Sequence, residues 1–172
     1  MQRVQSIAHA LHSIAYIAER IIMDTSTIIE HQVLINAPVA IVWDVLTRLD
    51  DYPSWNRYAL QAHGQLVVGG EVEIVVRLGN SLQRVNNRVL EVSPQSRLCW
   101  VSLNWYQFLV RGTRCRVLEP LPEGTTRFRE TEIMQGSLAR LVVRLMRPQL
   151  ATGLQTECMS IKDESERIAR SS

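Results

Sequence analysis

Lysine is nearly absent from this sequence. Lys162 is the only one, so almost all positive charge rests on arginine. Neither sign of charge dominates: 19 basic and 17 acidic residues leave a formal net charge of +2. No Lys/Arg block occurs, which argues against a nucleic-acid partner. Cysteine is sparse too. Cys99, Cys115 and Cys158 are far apart, form no C-x-x-C pair and are odd in number, which speaks against a secreted disulfide framework. Each is expected to be a small buried apolar residue, with the reducing cytoplasm as the setting. No uninterrupted apolar run approaches the roughly 20 residues of a membrane-spanning helix. No secretory signal is recognisable. G-x-S-x-G, H-E-x-x-H, the P-loop and the dinucleotide G-x-G-x-x-G pattern are all missing. His9, His12, His31 and His63 make no ligand cluster, so no metal and no cofactor are expected.

What is there reads as one globular domain with an extension. The chain has 172 residues, 46% of them hydrophobic and 21% charged, enough to bury a core without staples. Residues 1–27 form the extension. Val4, Ile7, Leu11, Ile14, Ala18 and Ile21 recur at helical spacing and fit an a/d register, so the domain itself, a second copy or a membrane surface could receive the stripe. Arg3 and Arg20 supply little charge, and the membrane ranks last among these three partners. Monomer and homodimer both stay open. Met23, just before Asp24-Thr25-Ser26-Thr27, is an alternative translation start.

Residues 28–168 are expected to fold together, with 169–172 as a tail. Ile28 to Ile35 is a strand ended by Asn36-Ala37-Pro38. Val42, Val45, Leu46 and Leu49 then recur at helical spacing, and Pro53 opens a second short helical piece. Strand follows strand to residue 135: Glu71 to Leu78, Leu82 to Val92, Arg97 to Leu103, Tyr106 to Glu119 with a bend or bulge at Gly112, and Thr125 to Met134. The close is helical, with Ser137 as N-cap, a kink or split at Pro148, and a solvated charged end beyond Ile161. The order predicts an α+β domain: an antiparallel meander, joined late by the first strand, curving over one long helix. A curved sheet over a helix leaves a space for an apolar ligand.

Several segments resemble a known family in register. Ile35-Asn36-Ala37-Pro38-Val39-Ala40-Ile41-Val42-Trp43 followed by Tyr52-Pro53-Ser54-Trp55 is similar to the opening of the START-like (SRPBCC) superfamily, in its polyketide cyclase/dehydrase and lipid-transport branch. Val68-Gly69-Gly70, Leu98-Cys99-Trp100, Gly124-Thr125, Glu132-Ile133-Met134-Gln135-Gly136-Ser137-Leu138 and Ile161-Lys162-Asp163-Glu164-Ser165-Glu166 resemble its later segments. The resemblance covers residues 28 to 167. It implies a helix-grip fold, with a curved seven-stranded antiparallel sheet around a long C-terminal helix and two short helices after the first strand. It also implies a pocket for a lipid, sterol, quinone or polyketide, without fixing a reaction. Arg114 stands where some relatives carry His, and Met134 replaces an aromatic residue.

The expected ligand-binding residues are Val72, Ile74, Val76, Leu98, Trp100, Glu132, Met134, Leu145, Leu154 and Cys158. Leu145, Leu154, Cys158 and Ile161 are expected to face the sheet residues across the cavity. Trp43 and Trp55 read as packing residues, and Trp105 and Tyr106 as rim residues. The acid–base candidates are Glu130, Glu132, Arg111 and Arg114. Glu130 and Glu132 share the apolar face of their strand with Phe128 and Met134, and Arg114 lies within reach of that face. Glu132 and Arg114 therefore read as a structural ion pair, as an anchor for a ligand head group, or as the acid–base pair of a cyclase or dehydratase. A non-catalytic carrier or sensor of an apolar molecule is the first reading, and the cyclase/dehydratase is the alternative.

Overall fold

The computed structural model describes residues 27–104 and 108–171. The expectations for the N-terminal stripe, for Met23, and for Trp105 and Tyr106 fall outside those residues. Seven strands form one antiparallel sheet: β1 (Thr27–Ile35), β2 (Ala59–Gly64), β3 (Glu71–Leu78), β4 (Ser81–Ser93), β5 (Arg97–Leu103), β6 (Arg111–Pro120) and β7 (Thr126–Gln135). Their spatial order is β1-β7-β6-β5-β4-β3-β2, so the first strand pairs with the last. Two short helices, α1 (Val39–Thr47) and α2 (Tyr52–Trp55), follow β1, and α3 (Ala139–Ser171) closes the chain.

Local chemistry explains these elements. Pro38 stops β1 and sits at the N-cap of α1, where its carbonyl accepts from Ile41 and Val42 N–H. The helix buries Val42, Val45 and Leu46, three and four residues apart. Asn56 Oδ1 accepts from the backbone N–H of Tyr58 and Ala59, a side-chain turn that launches β2. That short strand carries little alternation and was not read from the pattern; it is held by its register with β3. β2 and β4 each carry one irregularity, at Leu60 and Leu90.

Four expectations need correction. β6 passes through Gly112 without a bulge, pairing evenly with β7 from Arg111↔Gln135 to Pro120↔Thr126. α3 is continuous through Pro148, because Val143 before it and Leu154 after it both pack on Ile29, and this outweighs one lost hydrogen bond. The segment beyond Ile161 is no solvated tail. Ser165 is buried, Ile168 and Ala169 pack on the core, and Glu166 accepts from Asn36 N–H. Helix α3 runs on to Ser171, across the expected boundary at 168. Finally, Cys99 and Cys115 face each other on β5 and β6 and form a disulfide, whereas Cys158 alone is a free buried thiol. Sequence spacing could not show that these two positions share a register.

The main core lies between the concave sheet face and the helices, around Leu98, Trp100, Phe128, Tyr52, Cys158 and Ile161. No helix among the described residues is long and apolar enough to cross a membrane.

Candidate functional site

Toward the N-terminal half of α3 the sheet and helix part, leaving a cavity of about 660 Å³. That lies within the size range of small-molecule sites, roughly 300–1,000 Å³. Its apolar wall is built by Ile74 and Val76 of β3, Val85 of β4, Trp100 of β5, Met134 of β7, and Val142, Met146 and Leu150 of α3. Asn80, Ser81, Gln83 and Gln149 add polar groups. Tyr58, Asn87, Ser102, Arg114 and Glu132 also line it. Asn104 borders it as well, and its buried Oδ1 has no hydrogen-bond partner among the described residues.

The sequence-derived site residues divide sharply. Ile74, Val76, Trp100, Arg114, Glu132 and Met134 line this cavity. Val72 and Leu98 point to the same side of the sheet but are sealed in the core. Leu154 is fully buried against Ile29 and Val143, and Cys158 is buried beside Glu130. Leu145 is 67% exposed and faces solvent, because α3 turns Val142, Met146 and Gln149 toward the sheet instead. The stripe across the cavity is therefore rotated from the expected one. Arg111 is exposed and bonds Gln135, so it leaves the acid–base set.

Beneath the cavity lies a charge network that the sequence hinted at only in part. Arg114 Nε donates to Glu132 Oε2 (2.5 Å), its Nη1 to Glu157 Oε2 (2.8 Å), and its Nη2 to the Tyr58 hydroxyl (3.3 Å). Arg116 Nη2 donates to Glu157 Oε1 (2.8 Å), so one carboxylate of α3 joins both guanidinium groups of β6. Arg116 Nε stands 3.0 Å from Glu130 Oε1, close in distance but at an angle that makes no hydrogen bond. Its guanidinium lies 4.1 Å over the Trp100 ring. Trp100 thus separates the cavity, which it lines, from Arg116, which it covers, while Arg114 and Glu132 of the same network reach the cavity.

Alternation on β6 and β7 explains the cluster. Arg114 pairs with Glu132 and Arg116 with Glu130 across the two strands, all on the concave face. Glycine makes room twice. A Cβ on Gly112 would collide with Glu132 Oε1, and one on Gly153 would come within 2.5 Å of the Tyr58 ring. Glu157, Tyr58 and Arg116 were not picked out from the sequence. The available signal for Glu157 was an acidic residue beside Cys158, on the apolar stripe of α3.

Three carboxyl groups face two guanidinium groups, so full ionisation would leave one buried negative charge uncompensated. Burial, together with the neighbouring charge of Glu157, pushes Glu130 up to about 8, so it is protonated at neutral pH. Burial also acts to raise Glu157, but Arg116 and Arg114 outweigh it and hold this carboxyl below its ordinary value. Burial drives up the Cys158 thiol, which donates to Glu130 Oε2 at 3.6 Å, and so that thiol is no nucleophile. Tyr58 is likewise raised by burial and keeps its proton. Burial acts to lower Arg114, yet the three carboxyl groups and Tyr58 hold its pKa well above the ordinary value. The cavity therefore meets a fixed cation, a carboxylate paired to it and a neutral phenol.

A seven-stranded antiparallel sheet gripping a C-terminal helix, with a cavity between them, defines a helix-grip protein. More narrowly, the chain belongs to the family described as polyketide cyclase / dehydrase and lipid transport, which it matches over residues 26–165. Zhui aromatase/cyclase from Streptomyces sp. R1128 superposes with a TM-score of 0.68 at 15% identity, covering 83% of this chain and 94% of that one. The di-domain ARO/CYC StfQ from the steffimycin biosynthetic pathway gives 0.70 at 12% identity, over 88% of this chain and 54% of that one. A point mutant of norcoclaurine synthase from Thalictrum flavum, in complex with a transition-state analogue, gives 0.66 at 12% identity, covering 83% and 96%. At these identities the likeness is one of fold. No curated protein sequence matches significantly.

Proposed function

We propose that this chain binds an apolar small molecule in the sheet–helix cavity as a non-catalytic carrier or sensor. The ligand's one polar end, a carbonyl or hydroxyl, faces Arg114. The observation that supports this reading is the state of the polar groups. Every nitrogen of Arg114 already has a partner and Glu132 is paired to it, so these groups suit a fixed anchor better than a proton shuttle. The apolar wall supplies the affinity and the anchor supplies orientation. The ligand class is a lipid, quinone, sterol-like or polyketide-like molecule. The compartment follows the cysteines. A bonded Cys99–Cys115 pair persists in an oxidising setting, and a reduced pair belongs to the cytoplasm.

The test is a titration of the purified protein with a hydroxyanthraquinone and with palmitate, followed by Trp fluorescence. Val142→Trp fills the cavity from α3. Loss of binding by a variant with unchanged melting temperature supports the reading. Equal binding by that variant overturns it.

A second reading, a cyclase or dehydratase, is favoured by one feature: Glu132, Arg114 and the Tyr58 hydroxyl all line the same cavity. In it Arg114 would hold a developing enolate while Glu132 accepts a proton. Single-turnover cyclisation of a poly-β-carbonyl substrate that Glu132→Gln abolishes, with ligand affinity retained, would favour this reading over the carrier.

A further inference from the structure

Beside the cavity, the first half of α3 presents an apolar stripe that nothing among the described residues covers. Leu138, just before the helix, and Leu141 and Leu145 within it are 40%, 53% and 67% exposed. Their spacing of three and four residues places them on one side. Phe108, 69% exposed, precedes Leu109, whose carbonyl accepts from Leu138 N–H. Scattered exposed leucines are ordinary, whereas three aligned on one side of a helix beside a cavity mark an interaction surface.

The charges around this stripe select its partner. Residues 136–156 contain Arg140, Arg144 and Arg147 and no acidic residue; the acids of α3 begin at Glu157. All three arginines are exposed. A helix with leucines on one side and arginines beside them is the pattern of a segment lying in the interface of an anionic bilayer. Two other occupants fit less well. A second copy apposing the same patch would bring six arginines together. Residues 1–26 carry Arg3 and Arg20 against Glu19 and Asp24, and so offer no net negative charge.

We infer that Leu138, Leu141 and Leu145, flanked by Arg144 and Arg147, dock the protein on an anionic lipid surface. Val142, Met146 and Gln149 of the same helix half line the cavity. Docking thus sets the cavity against the membrane, where an apolar molecule enters or leaves without crossing water.

The experiment is co-sedimentation of the full chain with cargo-free vesicles of phosphatidylcholine alone and with 30% phosphatidylglycerol, at low and at 0.5 M salt. Sedimentation reads attachment to whole vesicles, which uptake of a single lipid into the cavity does not produce, so its outcome is separable from ligand binding. Partitioning is expected onto the anionic vesicles at low salt only. Arg144→Gln with Arg147→Gln should weaken it roughly 30-fold, from about 1 kcal/mol per basic residue near an anionic surface. Leu141→Ser with Leu145→Ser should abolish it without lowering the melting temperature. No partitioning, or partitioning that neither double variant changes, overturns the inference. A stable dimer in sedimentation velocity that Leu141→Ser with Leu145→Ser dissociates also overturns it, by assigning the stripe to a second copy.

Discussion

Glu132 Oε1 occupies the space in which a Cβ of Gly112 would stand. The missing side chain on β6 is what lets the Glu132 carboxylate on β7 fold back to Arg114. Gly112→Ala should therefore cost about 1–3 kcal/mol as overpacking beside a tethered group. Glu132→Ala should relieve much of that cost. A double-mutant cycle by urea unfolding should give a coupling of about 0.5–3 kcal/mol. Strict additivity would mean that the glycine serves some other purpose.

Glu130 makes stability fall as pH rises from about 4.5 to about 8. Its folded pKa of about 8 lies above its ordinary value of 4.5, so the folded protein holds this proton more tightly than the unfolded chain. The resulting stabilisation is complete below about pH 4.5 and is lost as pH rises through 8. Glu157, lowered by Arg116 and Arg114, acts in the opposite sense and loses its contribution as pH falls in acid. Glu130→Gln should flatten the decline below pH 8 and unfold at higher denaturant than the parent at pH 9. An unchanged slope between pH 6 and 9 would show that Glu130 is ionised throughout.

The Cys99–Cys115 bond closes a sequence separation of 16 residues. Thiol titration of the denatured, unreduced protein should find one group, Cys158, and reduction should raise this to three. Closure of a loop of that length is worth about 3 kcal/mol on the chain-entropy account, so the reduced protein should melt lower. Three thiols before reduction, or one melting temperature in both states, would refute a stabilising bond.

How far the sequence spoke depended on the period of each element. The β7 alternation placed Glu130 and Glu132 on the concave face correctly, because a period of two tolerates no compromise once Phe128 is buried. β2 was illegible, since Ala59, Ala62 and Gly64 are too small to print a pattern. α3 was legible as a helix, but its rotation was not. Leucines at 138, 141 and 145 outweigh the less hydrophobic residues that actually line the cavity, and a broad apolar stripe does not say which edge turns inward. The buried network escaped for a related reason: Arg116 and Glu157 look like surface residues until strand register and helix facing bring them within 2.8 Å.

Pro148 and Gly153 lie between the two ends of α3, and together they divide its mechanics. Pro148 removes one rung of the helical ladder, and Gly153 gives up helix propensity so that Tyr58 can pack closely. Before them, arginines stand toward the positive pole of the helix dipole, where they are least favoured. After them, Glu157, Ser160, Ile161 and Ser165 are buried. The second half of the helix is thus clamped by buried groups, whereas the first half is fastened mainly through Ala139 and Val143 and walls the cavity. Amide exchange should be fast from 139 to 150 and slow from 157 to 165. Faster exchange in the first span would mark the cavity wall as the part of the helix that yields before its buried, charged half.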